Sequence, residues 1–197
     1  MLPMNQLYPI FLKTESLQFL IVGGGHVALE KLEFLLKSSP NAQITMVAPF
    51  YREATLNFVA NKVNIHLIHR RFNSCFLSGK HIVIATTDEP VVNQKIHYFC
   101  KKKRILVNVA DTPDLCDFYM GGIVTKGNLK IGISTNGKSP TLAKRIRQFL
   151  EELLPEEIND LLDSLQNYRK TLDGDFEFKV NEMNKMTKSI LERNDTN

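Results

Sequence analysis

Cysteine is scarce in this chain of 197 residues: Cys75, Cys100 and Cys116 are odd in number and far apart. Without a CxxC pair, neither a zinc site nor a disulfide framework is expected, and a reducing compartment fits. No apolar run reaches the ~18 residues of a membrane span. The start, MLPMNQLYPIF, has no basic stretch ahead of a long apolar one, so no signal peptide is expected and the cytoplasm is the predicted location. Charge of one sign is also lacking. Lys and Arg number 25 against 21 Asp and Glu, a net +4 that is too weak to imply nucleic acid but is compatible with an anionic small substrate. The histidines His26, His66, His69, His81 and His97 show no HExxH or other metal-ligand spacing.

What is present is alternation. LQFLIV (17–22) reads as a buried parallel strand, and residues 26–38 as a helix with Val27, Leu32, Leu35 and Leu36 at helical spacing. Strands are expected at 43–48, 64–68, 81–86 and 104–109, with helices at 51–62 and 89–102. Strand and helix alternate with short connections, which predicts an α/β fold with a doubly wound parallel sheet. The pattern then changes. Residues 117–125 and 128–134 read as two strands of a hairpin about Lys126-Gly127. A basic amphipathic helix is expected at 139–153. A second helix follows Pro155, with Ile158, Leu161, Leu165, Tyr168 and Leu172 on one face. Asp173-Gly174 breaks it, and a last helix carries Phe176, Val180, Met183 and Ile190. The expected division is a nucleotide-binding domain at 1–112, a small α+β region at 113–150 and a helical region at 151–197, with a frayed end at ERNDTN.

Gly23-Gly24-Gly25-His26-Val27-Ala28 fits G-x-G-x-x-G/A, immediately after a strand and at the start of a helix. Gly23 makes the tight turn, Gly25 lets the backbone approach a pyrophosphate, and Ala28 lets helix and strand pack closely. The helix N-terminus offers free N–H groups and partial positive charge to the phosphates. NAD is the expected cofactor. The second strand, however, ends Val47-Ala48-Pro49-Phe50, without the acid that binds a ribose 2′-OH. Backbone groups must hold the ribose instead, and Arg52, otherwise a solvated arginine, could meet a 2′-phosphate.

Other candidates lie just past later strands, where ligands sit in such sheets. Thr86 and Thr87 follow the fourth strand, with Asp88 read as a ligand group, a helix cap or both. Asp111 follows the fifth, in Asn108-Val109-Ala110-Asp111, either as a proton acceptor or as a loop Asp turning before Pro113. Ser139 before Pro140 is a strong helix start. The segment Asn136-Gly137-Lys138-Ser139 is equally readable as an anion nest for a substrate carboxylate, with Lys138, Lys144, Arg145 and Arg147 forming a basic wall.

Taken together, Tyr8-Pro9-Ile10-Phe11, LIVGGGHVALEK (20–31), ATTDEPVVNQ (85–94), NVADTPDLCDFYM (108–120) and STNGKSPTLAKRIR (134–147) resemble the precorrin-2 dehydrogenase/sirohydrochlorin ferrochelatase family, in that family's order and spacing. The resemblance implies that NAD+ takes a hydride from precorrin-2, a tetrapyrrole with eight carboxylates, that a proton leaves, and that sirohydrochlorin forms. Some members also insert Fe2+ as a substrate. It implies Asp111 as the catalytic carboxylate, and as the metal guide in a chelatase. It implies cofactor contacts at His26, Val27, Pro49 and Phe50, and beside them Asn108, Lys138 and Ser139 are the expected substrate contacts. It implies a homodimer built through the middle region. It marks Ser139 as a residue phosphorylated in some relatives, and it leaves this chain too short for the methyltransferase of the larger fusions. Two positions depart from the family: His26 stands where many relatives carry an acid, and Gly121 where a proline commonly follows Met120. The competing reading is a non-catalytic NAD-binding sensor domain, which has no need of the NVAD and TNGKSP segments.

Overall fold

A computed structural model describes Asn5 and residues 7–191 of the chain. Much of the N-terminal stretch read for a signal, the end expected to fray (192–197), and the side chain of Ile190 lie outside the described residues.

The sheet follows from the apolar runs. Strands β1 (Gln18–Val22), β2 (Gln43–Ala48), β3 (Ile65–His69), β4 (Ile82–Ala85) and β5 (Leu106–Val109) are all parallel, in the order β3-β2-β1-β4-β5. β1 lies in the middle and is buried on both faces. Phe19 and Ile21 join Ala28, Leu32 and Tyr51 on one side, while Leu20 and Val22 join Ile96 and Cys100 on the other. This is why the strand reads as a continuous apolar run rather than an alternating one. Helix α1 (His26–Ser38) buries Ala28, Leu32 and Leu36, one stripe at four-residue spacing. Helix α3 (Pro90–Lys103) has proline in its first turn, buries Asn93, Ile96 and Cys100, and ends on three lysines at its negative pole before left-handed Arg104.

Two elements differ from expectation. Helix α2 (Glu53–Val59) is shorter than 51–62. At its start, the Tyr51 hydroxyl lies 2.7 Å from the Met46 carbonyl and 3.0 Å from that of Ile68. Burial pushes this phenol up to about 12. Tyr51 is therefore pinned across the ends of β2 and β3, and Arg52 stays extended. The expected strand 117–125 begins only at Gly122. Its first residues are folded back along the outer edge of β5 instead, where Asp117 N–H donates to the Val107 carbonyl at 2.8 Å. This covers an edge that would otherwise expose unpaired backbone groups.

The chain forms two compact units. One holds everything through Gly122 together with Ser134–Ala143, and the other holds Ile123–Ile133 and the chain from Lys144. In the second, β6 (Gly122–Lys126) and β7 (Leu129–Ile133) form a hairpin turning on Gly127-Asn128. Asn159 of α5 (Ile158–Thr171) accepts the Asn128 N–H at 3.0 Å, and Lys126 pairs with Glu156. Helix α4 (Pro140–Leu153) starts in the first unit and continues in the second, and α6 (Phe176–Leu191) follows α5. Among the described residues no helix is long and apolar enough to cross a membrane.

Candidate functional site

The strand order reverses between β1 and β4, and in an open parallel sheet the crevice for a ligand lies beyond the carboxyl ends at that reversal. The three glycines stand there. Gly23 has φ 133°, and a Cβ on it would fall 2.3 Å from Thr86 Oγ1 and 3.0 Å from the Thr86 carbonyl oxygen. A Cβ on Gly24 would fall 2.0 Å from the Phe50 carbonyl oxygen. A Cβ on Gly25 would meet nothing within 4 Å, so its bareness answers no neighbour inside the protein. Gly25 caps α1 with its backbone in an extended conformation, no side chain caps that helix, and its first turn carries no acid. The open space therefore fronts free N–H groups at the positive end of a 13-residue helix, which fits the pyrophosphate of a dinucleotide.

Backbone hydrogen bonds hold this cradle. Gly23 N–H donates to Val47 O at 2.9 Å, Arg52 N–H to Gly24 O at 3.1 Å, and Thr86 N–H to Val22 O at 2.8 Å. His26 is exposed and Val27 half-buried at the start of α1, while Ala28 is fully buried under it. Pro49 and Phe50 are both exposed beyond β2, and Phe50 retains 71% of its surface.

Thr86 is buried, and its hydroxyl donates to Val22 O at 2.9 Å, so it forms the floor of the crevice. Thr87 Oγ1 donates to Asn93 Oδ1 at 2.7 Å, and Asn93 Nδ2 donates back to Thr87 O at 2.9 Å. This pair secures the entry to α3, and Asp88 is not its cap, since Glu89 occupies that position without a side-chain bond.

At the end of β5 a clasp of side chains holds the next loop. Buried Asn108 donates through Nδ2 to Phe118 O at 2.8 Å. Cys116 Sγ donates to Val109 O at 3.2 Å and accepts from Val109 N–H at 3.3 Å. Burial raises its thiol above the ordinary value, keeping the proton that this donation needs. Asp117 Oδ2 accepts the Val107 N–H at 3.1 Å, and its other oxygen takes the Lys101 ammonium at 2.5 Å. The clasp closes a loop whose outermost part presents Asp111. That residue is exposed and left-handed, with φ 57°, a conformation Asp tolerates better than most. Among the described residues its carboxylate has no hydrogen-bond or ion-pair partner inside the protein.

Segment 134–143 returns to this same unit. Thr135-Asn136-Gly137-Lys138 is a tight turn with left-handed Asn136 and Gly137, closed by Lys138 N–H donating to Thr135 O at 3.0 Å. Asn136 N–H donates to Ser134 Oγ and Ser139 N–H to Thr135 Oγ1, so the backbone nest expected here is largely spent on internal bonds. Ser139 caps α4, accepting the Leu142 N–H at 3.2 Å. Lys138 remains exposed, whereas Arg147 pairs with Glu151. Among the described residues no group of three or more His, Cys, Asp or Glu side chains could hold a metal ion. Reading the sequence gave no special part to Gly24, Cys116 or Asp117. Three consecutive glycines were the available signal for the first, and nothing local marks the other two.

Residues 10–122 match the family described as "Putative NAD(P)-binding", and residues 126–153 match "Sirohaem biosynthesis protein central". The chain is 36% identical over 190 residues to the siroheme synthase of Psychrobacter sp. (strain PRwf-1), covering 89% of this chain and 38% of that protein. It is 37% identical over 173 residues to the siroheme synthase of Psychrobacter cryohalolentis, covering 88% of this chain and 32% of that protein. The chain thus spans between 32% and 38% of the length of these relatives. Among solved structures, "SirC, precorrin-2 dehydrogenase" superposes with a TM-score of 0.70 at 25% identity, covering 94% of this chain and 90% of that one.

The glycines separate folding from binding. Gly25→Ala should leave the melting temperature unchanged and weaken dinucleotide binding at least about tenfold, because the added methyl meets only the ligand. Gly24→Ala should cost about 1–3 kcal/mol of stability as well, because its methyl meets backbone. Thermal unfolding and calorimetric titration read the two effects, and equal behaviour of the two variants would contradict this assignment.

Proposed function

The chain belongs to the sirohaem biosynthesis family of NAD(P)-binding proteins, and on that premise we propose that it oxidises precorrin-2 to sirohydrochlorin with NAD+. The observation that carries the reading is Asp111: an exposed, unpartnered carboxylate, held in a left-handed backbone at the same sheet edge as the glycine cradle. The names of its relatives, siroheme synthase and precorrin-2 dehydrogenase, supply the substrate.

Bound NAD+ supplies the hydride acceptor. The N–H groups of His26 and Val27 take the pyrophosphate at the α1 N-terminus. Pro49 and Phe50 border the adenosine, with backbone groups standing where other chains use an acid. Thr86 and Thr87 shape the floor, Thr86 by lying against Gly23 and Thr87 by fixing the start of α3. Asp111 accepts the proton that leaves the tetrapyrrole as the hydride departs. Exposed and without a partner among the described residues, this carboxylate is free to do so. Lys138 meets a substrate carboxylate, and Ser139 orients that lysine by fixing the start of α4. Asn108 acts through the clasp that holds the Asp111 loop, its amide being bound to Phe118 O. Insertion of Fe2+ into the product would use the same carboxylate, with iron as a substrate and the tetrapyrrole nitrogens as its ligands. No observation favours the non-catalytic sensor reading.

The reading extends to a cytoplasmic homodimer. Leu142, Ile146, Phe149 and Leu153 form one stripe along α4 and are exposed by 52%, 37%, 61% and 63%. A second copy of the chain is the occupant proposed for it. Sedimentation should give a dimer for the wild type and a monomer for Phe149→Glu, and a monomeric wild type would refute the pairing.

The activity is tested anaerobically by mixing the protein with precorrin-2 and NAD+ and following NADH absorbance, with Fe2+ added afterwards. NADH formation that requires precorrin-2 is expected, and Asp111→Asn should lower kcat about 10²–10⁴-fold while dinucleotide affinity holds. The Asn variant suits the left-handed backbone, so a folding defect does not confound the result. Full turnover by Asp111→Asn would remove the aspartate from the mechanism. Absence of NADH from a protein that binds NAD+ would remove the reaction.

A further inference from the structure

The buried stripe of α3 contains one residue out of keeping with the rest. Asn93, Ile96 and Cys100 lie at helical spacing against the sheet, and Asn93 is only 7% exposed. An amide there costs stability unless it is hydrogen-bonded, whereas an apolar side chain would pack without that demand. Asn93 Nδ2 donates to Thr87 O at 2.9 Å, and its Oδ1 accepts from the Thr87 hydroxyl at 2.7 Å. The same hydroxyl accepts the Glu89 N–H at 3.3 Å. These bonds all serve the connection between β4 and α3, and that connection has two neighbours that matter. On one side Thr86 lies against Gly23, with its N–H donating to Val22 O at 2.8 Å. On the other, Ala110 N–H donates to Ala85 O at 2.9 Å, which brings the residue before Asp111 alongside. Thr86-Thr87-Asp88 therefore runs between the glycine cradle and the Asp111 loop. A dinucleotide seated on α1 must place its nicotinamide there to take up a hydride beside that carboxylate. Asn93 also sets a direction. The Thr87–Asp88 peptide is trans, so its C=O and N–H point opposite ways. With the Thr87 carbonyl drawn to Asn93, the Asp88 N–H is turned away from Asn93, and it has no partner among the described residues.

We propose that Asn93 is a positioning residue for the coenzyme: by holding the Thr87 carbonyl it aims the Asp88 N–H at the carboxamide oxygen of the nicotinamide. The proposal rests on the dinucleotide reading above and deepens it by naming the group that fixes the ring end. A pyrophosphate held on α1 leaves the nicotinamide free to turn about its glycosidic bond, and hydride uptake from one substrate needs one face presented to it. A backbone donor supplies that tie whatever side chain stands at position 88, and a neutral N–H is matched to a neutral carbonyl. Asn93 itself touches neither coenzyme nor substrate. Asn93→Asp keeps the size of the side chain and the acceptor for the Thr87 hydroxyl, and it removes the donor that holds the Thr87 carbonyl. Thr87→Val removes the other half of the lock and keeps the branched shape.

The test is equilibrium binding with and without the ring, independent of turnover. NADH, whose reduced ring carries no charge for a new aspartate to attract, and ADP-ribose, which lacks the nicotinamide, are titrated by calorimetry into the wild type, Asn93→Asp and Thr87→Val. Asn93→Asp should weaken NADH about five- to tenfold and ADP-ribose less than about twofold, the loss of one hydrogen bond at the ring end. Thr87→Val should move the two ligands in the same unequal way, by about threefold for NADH. An asparagine that merely supports the fold would lower the melting temperature and leave the ratio of the two affinities as it is in the wild type. That unchanged ratio overturns the positioning role and leaves the dinucleotide reading standing. If Asn93→Asp does not fold, the ratio in Thr87→Val decides alone, in the same two directions. A wild type that binds neither ligand overturns both readings.

Discussion

Three backbone segments meet at the carboxyl ends of β1, β2 and β4, so closely that no side chain fits between them. Gly23 lies against Thr86 and Gly24 against the Phe50 carbonyl, and bonds from Gly23 to Val47 and from Arg52 to Gly24 lock the approach. A methyl group on Gly24 would displace backbone, and one on Gly23 would strike the Thr86 hydroxyl and crowd its carbonyl. The contact decides where α1 starts, and so where its free N–H groups point, and it places Phe50 and Arg52 on one side of the crevice with Thr86 on the other. The binding site is in this sense a by-product of how tightly the sheet closes at its switch point.

A second constraint places the chemistry. β5 is an edge strand, and the chain covers it with its own side chains: Asn108 to Phe118, Cys116 to Val109 and Asp117 to Val107. The bonds of Cys116 and Asp117 satisfy backbone groups of β5 that an edge would leave bare, and the Asn108 amide holds the Phe118 carbonyl beside them. The loop between strand and clasp is short, and Asp111 sits in it with a left-handed backbone. A carboxylate held that way, with no partner among the described residues, stays accessible to a substrate.

Much of this was legible in the residues. LQFLIV followed by three glycines announced a doubly buried strand and its turn, and the alternation that follows gave the parallel sheet. The order of strands and the approach of Gly24 to Phe50 were not legible, because they depend on which strand becomes a neighbour of which. The 117–121 stretch looked like a strand because Phe118, Tyr119 and Met120 are apolar or aromatic. Its pairing with β5 runs through one backbone bond, from Asp117 N–H to Val107 O, and the side chains of Asn108 and Asp117, for which periodicity carries no signal. The TNGKS segment illustrates the opposite case. Its composition suggested an anion nest, and the structure uses most of those N–H groups to close its own turn, leaving Lys138 as the exposed cation. The basic residues near it likewise looked alike in sequence, and only the structure separates Arg147, paired with Glu151, from exposed Lys138.

The central claim is that the glycine cradle and Asp111 serve one crevice. It is tested most directly by a crystal structure of the protein with NAD+ bound. The account predicts the pyrophosphate on the N–H groups of His26 and Val27, the adenosine toward Phe50, and the nicotinamide ring on the β4–β5 side, facing the Asp111 carboxylate. A dinucleotide bound elsewhere, or with its nicotinamide turned toward β3 and away from Asp111, would contradict it.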